Sequence, residues 1–182
     1  GKGFSDSVSG SGWKLFTERT AKARQILEQA SALKAKCPEW YAVMQNVALG
    51  QSWELPRATA LVEQAIAFEP AYDAYYRDHA NFLLPKWNGN EGDTEQFALQ
   101  SADRLAGEDG DILYFQIAEG LVCACDDPVF LRMSWPRVQK GYEALGKKYG
   151  QSMGSLNSYT LMAVNRDEWT LADSLFKQMG DN

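Results

Sequence analysis

The chain has one histidine, His79, and it falls in a run of aromatic and basic side chains: Tyr75, Tyr76 and Arg77 before it, Lys86 and Trp87 after it. These are the residue types that would bind a ligand or move a proton. An imidazole among tyrosines can donate to a buried carbonyl, face a ligand or act as a general base, and the first of these is favoured because His79 lies on an aromatic stripe. With one histidine, no zinc triad and no histidine-pair relay is available. The segment Pro85-Lys86-Trp87-Asn88-Gly89-Asn90 sets a large indole in a loop of Gly and Asn. It reads either as a plug that folds back between helices or as a contact for a peptide or ligand, flanked by Arg77 and Lys86.

Carboxylates also pair, as Asp109 with Asp111 and Asp126 with Asp127. Two carboxylates can run acid–base chemistry, but both pairs sit at expected helix boundaries, where capping and turn formation are the simpler reading. From Glu91 to Asp111 the ligand alternation of a calcium loop is missing. No Ser-His-Asp elbow, phosphate-cradling glycine loop or Walker-type lysine occurs. The three cysteines, Cys37, Cys123 and Cys125, are an odd number, and the Cys-Ala-Cys spacing directs two thiols to different faces of a helix. Free, packed thiols are expected. Neither a catalytic centre, a metal site nor a cofactor is predicted.

The elements that must carry these residues are helices. Phe16, Thr20, Ala23, Leu27, Ala30 and Leu33 recur at helical steps after Trp13. Further helices are predicted over about Pro38 to Leu49, Pro56 to Phe68 and Ala71 to Leu84, the last carrying Tyr72, Tyr75, Tyr76, His79, Phe82 and Leu83. A fifth, capped by Asp93 or Thr94, ends at Gly107; a sixth begins at Asp109 or Asp111 and reaches Cys125. Ser134-Trp135-Pro136 opens a seventh that ends near Gly150; Ser152 to Val164 forms an eighth, and a ninth starts near Asp167. Nowhere does a comparable stretch alternate with period two, so essentially no sheet is expected. Residues 1 to 12, rich in Gly and Ser, read as a flexible lead-in to a single helical domain over 13 to 182.

Self-similarity links these helices. Ala23-Arg-Gln-Ile-Leu-Glu-Gln-Ala30 aligns with Ala58-Thr-Ala-Leu-Val-Glu-Gln-Ala65 at a spacing of 35, and Phe97-Ala-Leu-Gln-Ser-Ala102 is a weaker third copy 37 further on. Each of the first two is followed by a proline and an aromatic helix. Small alanines let two helices approach while aromatics fill the gap to the next pair, and a period near 34 is that of helix–turn–helix solenoids. The hairpins resemble tetratricopeptide repeats. That resemblance implies an all-α fold of eight or nine helices in a right-handed stack of antiparallel hairpins, an α-α superhelix. The final stretch, Trp169 to Phe176, resembles the first helix of such a repeat, either as a cap or as the start of a hairpin completed past Asn182. A more particular likeness is the run Tyr75-Tyr76-Arg77-Asp78-His79-Ala80-Asn81-Phe82-Leu83-Leu84-Pro85-Lys86-Trp87-Asn88-Gly89. It is similar to the signature of a bacterial domain family of unknown function whose members are helical and repeat-like, with Lys86 and Asn88 where Arg and Gly are commoner. The likeness implies no catalytic residues.

Composition narrows the role. At 182 residues, with 45% hydrophobic, 12% aromatic and 23% charged residues, the chain can bury a core without metal or disulfide staples. The net charge is −6, but Asn88 to Leu131 holds ten acidic residues against Arg104 alone, whereas Gly1 to Cys37 holds seven basic against three acidic. Such a balance argues against nucleic acid as the partner. A solvated acidic face, or one that docks a basic protein, is expected instead. No run of about 20 apolar residues suggests a membrane span, and no signal-peptide core stands at the N-terminus. Reduced thiols slightly favour the cytoplasm, although a removed upstream signal would leave the same sequence. The expected function is a scaffold or interaction module for a peptide or protein partner of unknown identity; the sequence does not fix its oligomeric state. Two alternatives stand beside it: a small-ligand protein or enzyme with a pocket at Tyr75, Tyr76, His79 and Trp87, and an immunity or adaptor protein that docks a basic partner on the acidic middle.

Overall fold

A computed structural model describes residues 7–33, 37–122 and 128–180. Among them are nine α-helices and no strand: α1 Gly10–Ala30, α2 Pro38–Gly50, α3 Leu55–Phe68, α4 Ala74–Phe82, α5 Asp93–Leu105, α6 Gly107–Leu121, α7 Trp135–Tyr149, α8 Met153–Val164 and α9 Trp169–Met179, with a 3-10 turn at Val129–Leu131 before α7. The all-α class and the helix number agree with the periodicity. Cys123, Cys125, Asp126, Asp127, the C-terminal end expected for the sixth helix and the first six residues of the lead-in lie outside the described residues.

Local chemistry sets the helix ends. Pro38, Pro56 and Pro136 occupy the first turn of α2, α3 and α7, where no amide donor is needed. Ser9 accepts from the Gly12 amide at 3.2 Å and starts α1 three residues before Trp13. Ser152 caps α8 in the same manner. α4 is shorter than the expected Ala71 to Leu84. It starts late because the Asp73 carbonyl accepts from both the Tyr76 and Arg77 amides at 3.1 Å, while Tyr72 closes a turn onto Glu69. It ends at Phe82 because Pro85 disfavours helical geometry in the residue before it.

The chain divides into two compact units, Gly1–His79 and Ala80–Asn182. In the first, α2 packs on α1 and α3. Tyr41, Met44, Val47 and Ala48 of α2 are buried with Ala58, Leu61, Val62 and Ala65 of α3, and Tyr75 and Tyr76 of α4 are buried too. Trp40 Nε1 donates to the Leu27 carbonyl at 2.7 Å and ties α2 to α1. The alanines of the aligned repeat, Ala58 and Ala65, are the small residues that the second copy places in the core.

In the second unit α6 is the central helix, buried through Ile112, Leu113, Tyr114, Phe115, Ile117, Ala118 and Leu121, and it packs against both α5 and α7. Two helix-interior glycines allow those approaches. A methyl group on Gly110 would strike the Ala102 carbonyl of α5, and one on Gly141 of α7 would strike the Asp111 carbonyl of α6. Arg137 then spans the three helices, with Nη1 on Asp103 at 2.6 Å and Nε on Asp111 at 2.9 Å. Phe115, Tyr142, Tyr159 and Trp135 form a continuous ring cluster, with Tyr142 and Tyr159 stacked at 3.9 Å between centroids. α8 packs on α9, so the ninth helix has a neighbour in this unit.

The junction of α5 and α6 is a single residue. Ala106, not Gly107, turns the chain, with φ 57° and ψ 169°, and Gly107 opens α6 instead of ending α5. That backbone region is favourable for glycine alone and costs an alanine about 1 to 3 kcal/mol. Ala106→Gly is therefore expected to stabilise the unit by about 1 kcal/mol, the strain relieved being partly offset by the greater freedom of glycine when unfolded. A urea titration reads this as a higher midpoint at constant slope. A lower midpoint would show that the alanine is unstrained.

Candidate functional site

The sequence candidates fall into the two units. Tyr75, Tyr76, Arg77 and His79 belong to the first and lie on α4; Lys86 and Trp87 belong to the second and lie in the turn after it.

Within the first unit the aromatic candidates are core residues. Tyr75 and Tyr76 are fully buried and His79 is 3% exposed. Tyr76 Oη donates to the Pro70 carbonyl at 2.8 Å, anchoring α4 to the turn before it. Tyr75 packs 4.9 Å from Tyr72 and 6.1 Å from Tyr41 between ring centroids, and burial pushes its hydroxyl up to about 12. Burial holds His79 near 4, partly opposed by the Glu63 carboxylate of α3, so the imidazole is neutral at pH 7. Arg77 Nε is 2.9 Å from Asp73, the residue just before the helix.

Asp78, within the quoted run but not singled out by the sequence, is the second unusual titrating group. Burial pushes its carboxyl up to about 6; Arg77 opposes the shift, and Glu39 and Asp73 add to it. Asn46 Nδ2 of α2 lies 3.5 Å from Asp78 Oδ2. Beside them Tyr72 Oη donates to Glu39, a bond that pushes the phenol up to about 12. Nothing in the sequence distinguished Asp78 from a surface carboxylate, because the α2 residues that bear on it, Asn46 and Glu39, are more than 30 positions away in the chain.

In the second unit the turn after α4 is tightly built. The Trp87 amide donates to the Leu84 carbonyl at 2.8 Å, the Gly89 amide to the same carbonyl at 3.4 Å, and the Asn88 amide to the Phe82 carbonyl at 3.3 Å. Gly89 is required: any Cβ there would collide with the Leu83 backbone. Leu83 and Leu84 point inward and are buried, whereas Trp87 is 51% exposed with Lys86 Nζ 6.0 Å from its ring centroid. The Leu83 to Gly89 run is thus a structural turn that presents an indole.

Five of the ten carboxylates of the acidic middle pair with the segment that follows it. Glu95 pairs with Arg132, Asp103 and Asp111 with Arg137, Glu108 with Lys147 and Asp109 with Lys148. Asp109 and Asp111 therefore serve ion pairs at the start of α6. An open depression of about 560 Å³ lies there, lined by Ala106, Gly107, Glu108, Asp109, Ala144, Lys147 and Lys148. Its two lysines are already paired with its two carboxylates, and none of Tyr75, Tyr76, Arg77, His79, Lys86 and Trp87 lines it. Among the described residues no group of three or more His, Cys, Asp or Glu side chains is placed to hold a metal ion. No helix there is long and apolar enough to cross a membrane.

Known proteins offer no assignment. The chain matches no family model, no curated protein and no solved structure.

Proposed function

We propose that this chain is a non-catalytic interaction or scaffold module, built from tetratricopeptide-like hairpins stacked as a right-handed superhelix, that binds a peptide or protein partner through the Trp87 turn. The observation that carries the reading is an exposed indole on a turn fixed by three backbone hydrogen bonds and an obligatory glycine. A large aromatic held rigidly at the surface loses little conformational freedom on binding, and such residues dominate the energy of protein interfaces. The likeness of the surrounding run to a bacterial repeat-like family is compatible with that role.

The small-ligand or enzyme alternative has less support, because Tyr75, Tyr76 and His79 are buried in their unit. The reading as an immunity or adaptor protein that docks a basic partner on its acidic middle is also less supported, since Glu95, Asp103, Glu108, Asp109 and Asp111 already have cationic partners. The acidic balance continues to argue against nucleic acid.

The test uses the chain as bait in lysate of its source cell, beside its Trp87→Ala variant. Trp87→Ala is expected to weaken capture of the partner by roughly 30-fold, equivalent to about 2 kcal/mol, with the melting temperature unchanged. Lost stability with unchanged capture would sink the reading.

A further inference from the structure

α1 is a 21-residue helix in which no residue is buried. One side faces α2: Phe16 and Thr20 lie against Gly50, and the Leu27 carbonyl receives the Trp40 indole. A second stripe is left open. Leu15, Arg19, Lys22 and Ile26 follow at steps of four, three and four, and Gln29 and Leu33 continue the alternation into the turn beyond the helix. That is the spacing of a seam that packs against one other helix. Leu15, Ile26 and Leu33 are 48%, 55% and 63% exposed.

The charges on α1 are sorted between its faces. Lys14 pairs with Glu18 and Arg24 with Glu28, both one turn apart. Arg19 and Lys22, at the centre of the open seam, make no hydrogen bond or ion pair among the described residues. The seam therefore reads apolar, cationic, cationic, apolar over three turns, about 16 Å of helix. A second α1 laid against it would bring like charges together at the middle. What complements it is a helix with apolar residues at the ends of its own seam and carboxylates between them.

We propose that the open face of α1 docks an acidic amphipathic helix of a partner protein, with Leu15 and Ile26 as apolar anchors and Arg19 and Lys22 pairing with its central carboxylates. The contact is a helix-on-helix one, in which anchors supply affinity and central charges fix register and choice of partner. It depends on the first unit alone, so its failure leaves the Trp87 reading standing, and the reverse holds too.

The experiment uses the full chain and a labelled amphipathic peptide of about 20 residues, with leucine at the outer seam positions and glutamate at the inner ones, as the length follows from the seam. A second peptide carries lysine at the inner positions. Fluorescence anisotropy is expected to show binding of the glutamate peptide, weakened about tenfold or more in Arg19→Glu/Lys22→Glu and in Ile26→Ser. The lysine peptide should bind the charge-reversed chain instead. All substituted positions are exposed, so helix content and melting temperature should not change, and both are measured on each variant. Binding of neither peptide, or binding indifferent to charge reversal, overturns the proposal. So does capture by phosphatidylserine vesicles without peptide binding, which would assign the face to a membrane surface, or self-association abolished by Ile26→Ser, which would assign it to a second copy.

Discussion

Replacing Gly141 by alanine is expected to destabilise the second unit by about 3 kcal/mol or more. The new Cβ would lie 2.7 Å from Phe115 Cβ and closer still to the Asp111 carbonyl oxygen. Neither can rotate away, because one belongs to the backbone of α6 and the other is fixed to it. α7 must therefore move off α6. That separation loosens the Arg137 bond to Asp111 at 2.9 Å and the Phe115–Tyr142 contact at 5.4 Å, so the penalty exceeds that of a simple clash. Gly146→Ala, in the same helix, is the control. Its Cβ would meet only the end of the Gln151 side chain, which can swing aside. Alanine's better helix propensity then offsets that rearrangement, and the change should stay within about 1 kcal/mol of zero. Urea titrations of both variants decide the matter; Gly141→Ala at wild-type stability would mean that α6 and α7 are not packed through this glycine.

Acid should act on the first unit through two neighbours that pull in opposite directions. His79 has a folded value near 4 against an ordinary 6.5, so between those limits the unfolded chain binds the proton and the folded one does not. Its contribution is complete above 6.5 and is lost as pH falls toward 4, a total of about 3 kcal/mol. Asp78 has a folded value near 6 against an ordinary 3.8, so the folded chain protonates first and gains stability as pH falls through the same range. Solvent reaches part of that carboxyl, and its effect is smaller.

Single substitutions separate the pair. His79→Gln should be less stable than wild type at pH 7, and that gap should shrink by about 2 kcal/mol at pH 4.5, where the wild type has lost most of the histidine's contribution. Asp78→Asn removes the opposing gain and should make acid unfolding steeper. Urea midpoints at the two pH values measure both, and a His79→Gln gap that does not change with pH would refute a buried neutral imidazole.

What could be read from the sequence, and what could not, follows from the range of each interaction. Helix positions are local: the three- and four-residue steps, together with Pro38, Pro56 and Pro136, place α2, α3 and α7 within one or two residues of their observed bounds. Ala106 escaped because alanine is the best helix former, and only the forced geometry between α5 and α6 puts it in a turn beside the glycine that seemed made for one. Gly110 and Gly141 carry no local signal at all; their meaning is a distance to another helix.

The candidate site divides along the same line. His79 on an aromatic stripe is legible as a core residue, and it is buried. Trp87 was open between plug and contact because a turn's backbone bonds, not its composition, determine where the indole points. The acidic middle looked like a free surface because its counter-charges, Arg132, Arg137, Lys147 and Lys148, come later in the chain and meet it only in the folded unit.

That last arrangement has an outcome during synthesis. A chain leaves the ribosome N-terminus first, so residues 88 to 131, with ten carboxylates and one arginine, emerge before the segment whose cations pair with five of them. Until then their mutual repulsion opposes compaction of α5 on α6. α7 brings Arg137, Lys147, Lys148 and the Gly141 face together, so the carboxylates at the start of α6 gain these counter-charges only once α7 has been made.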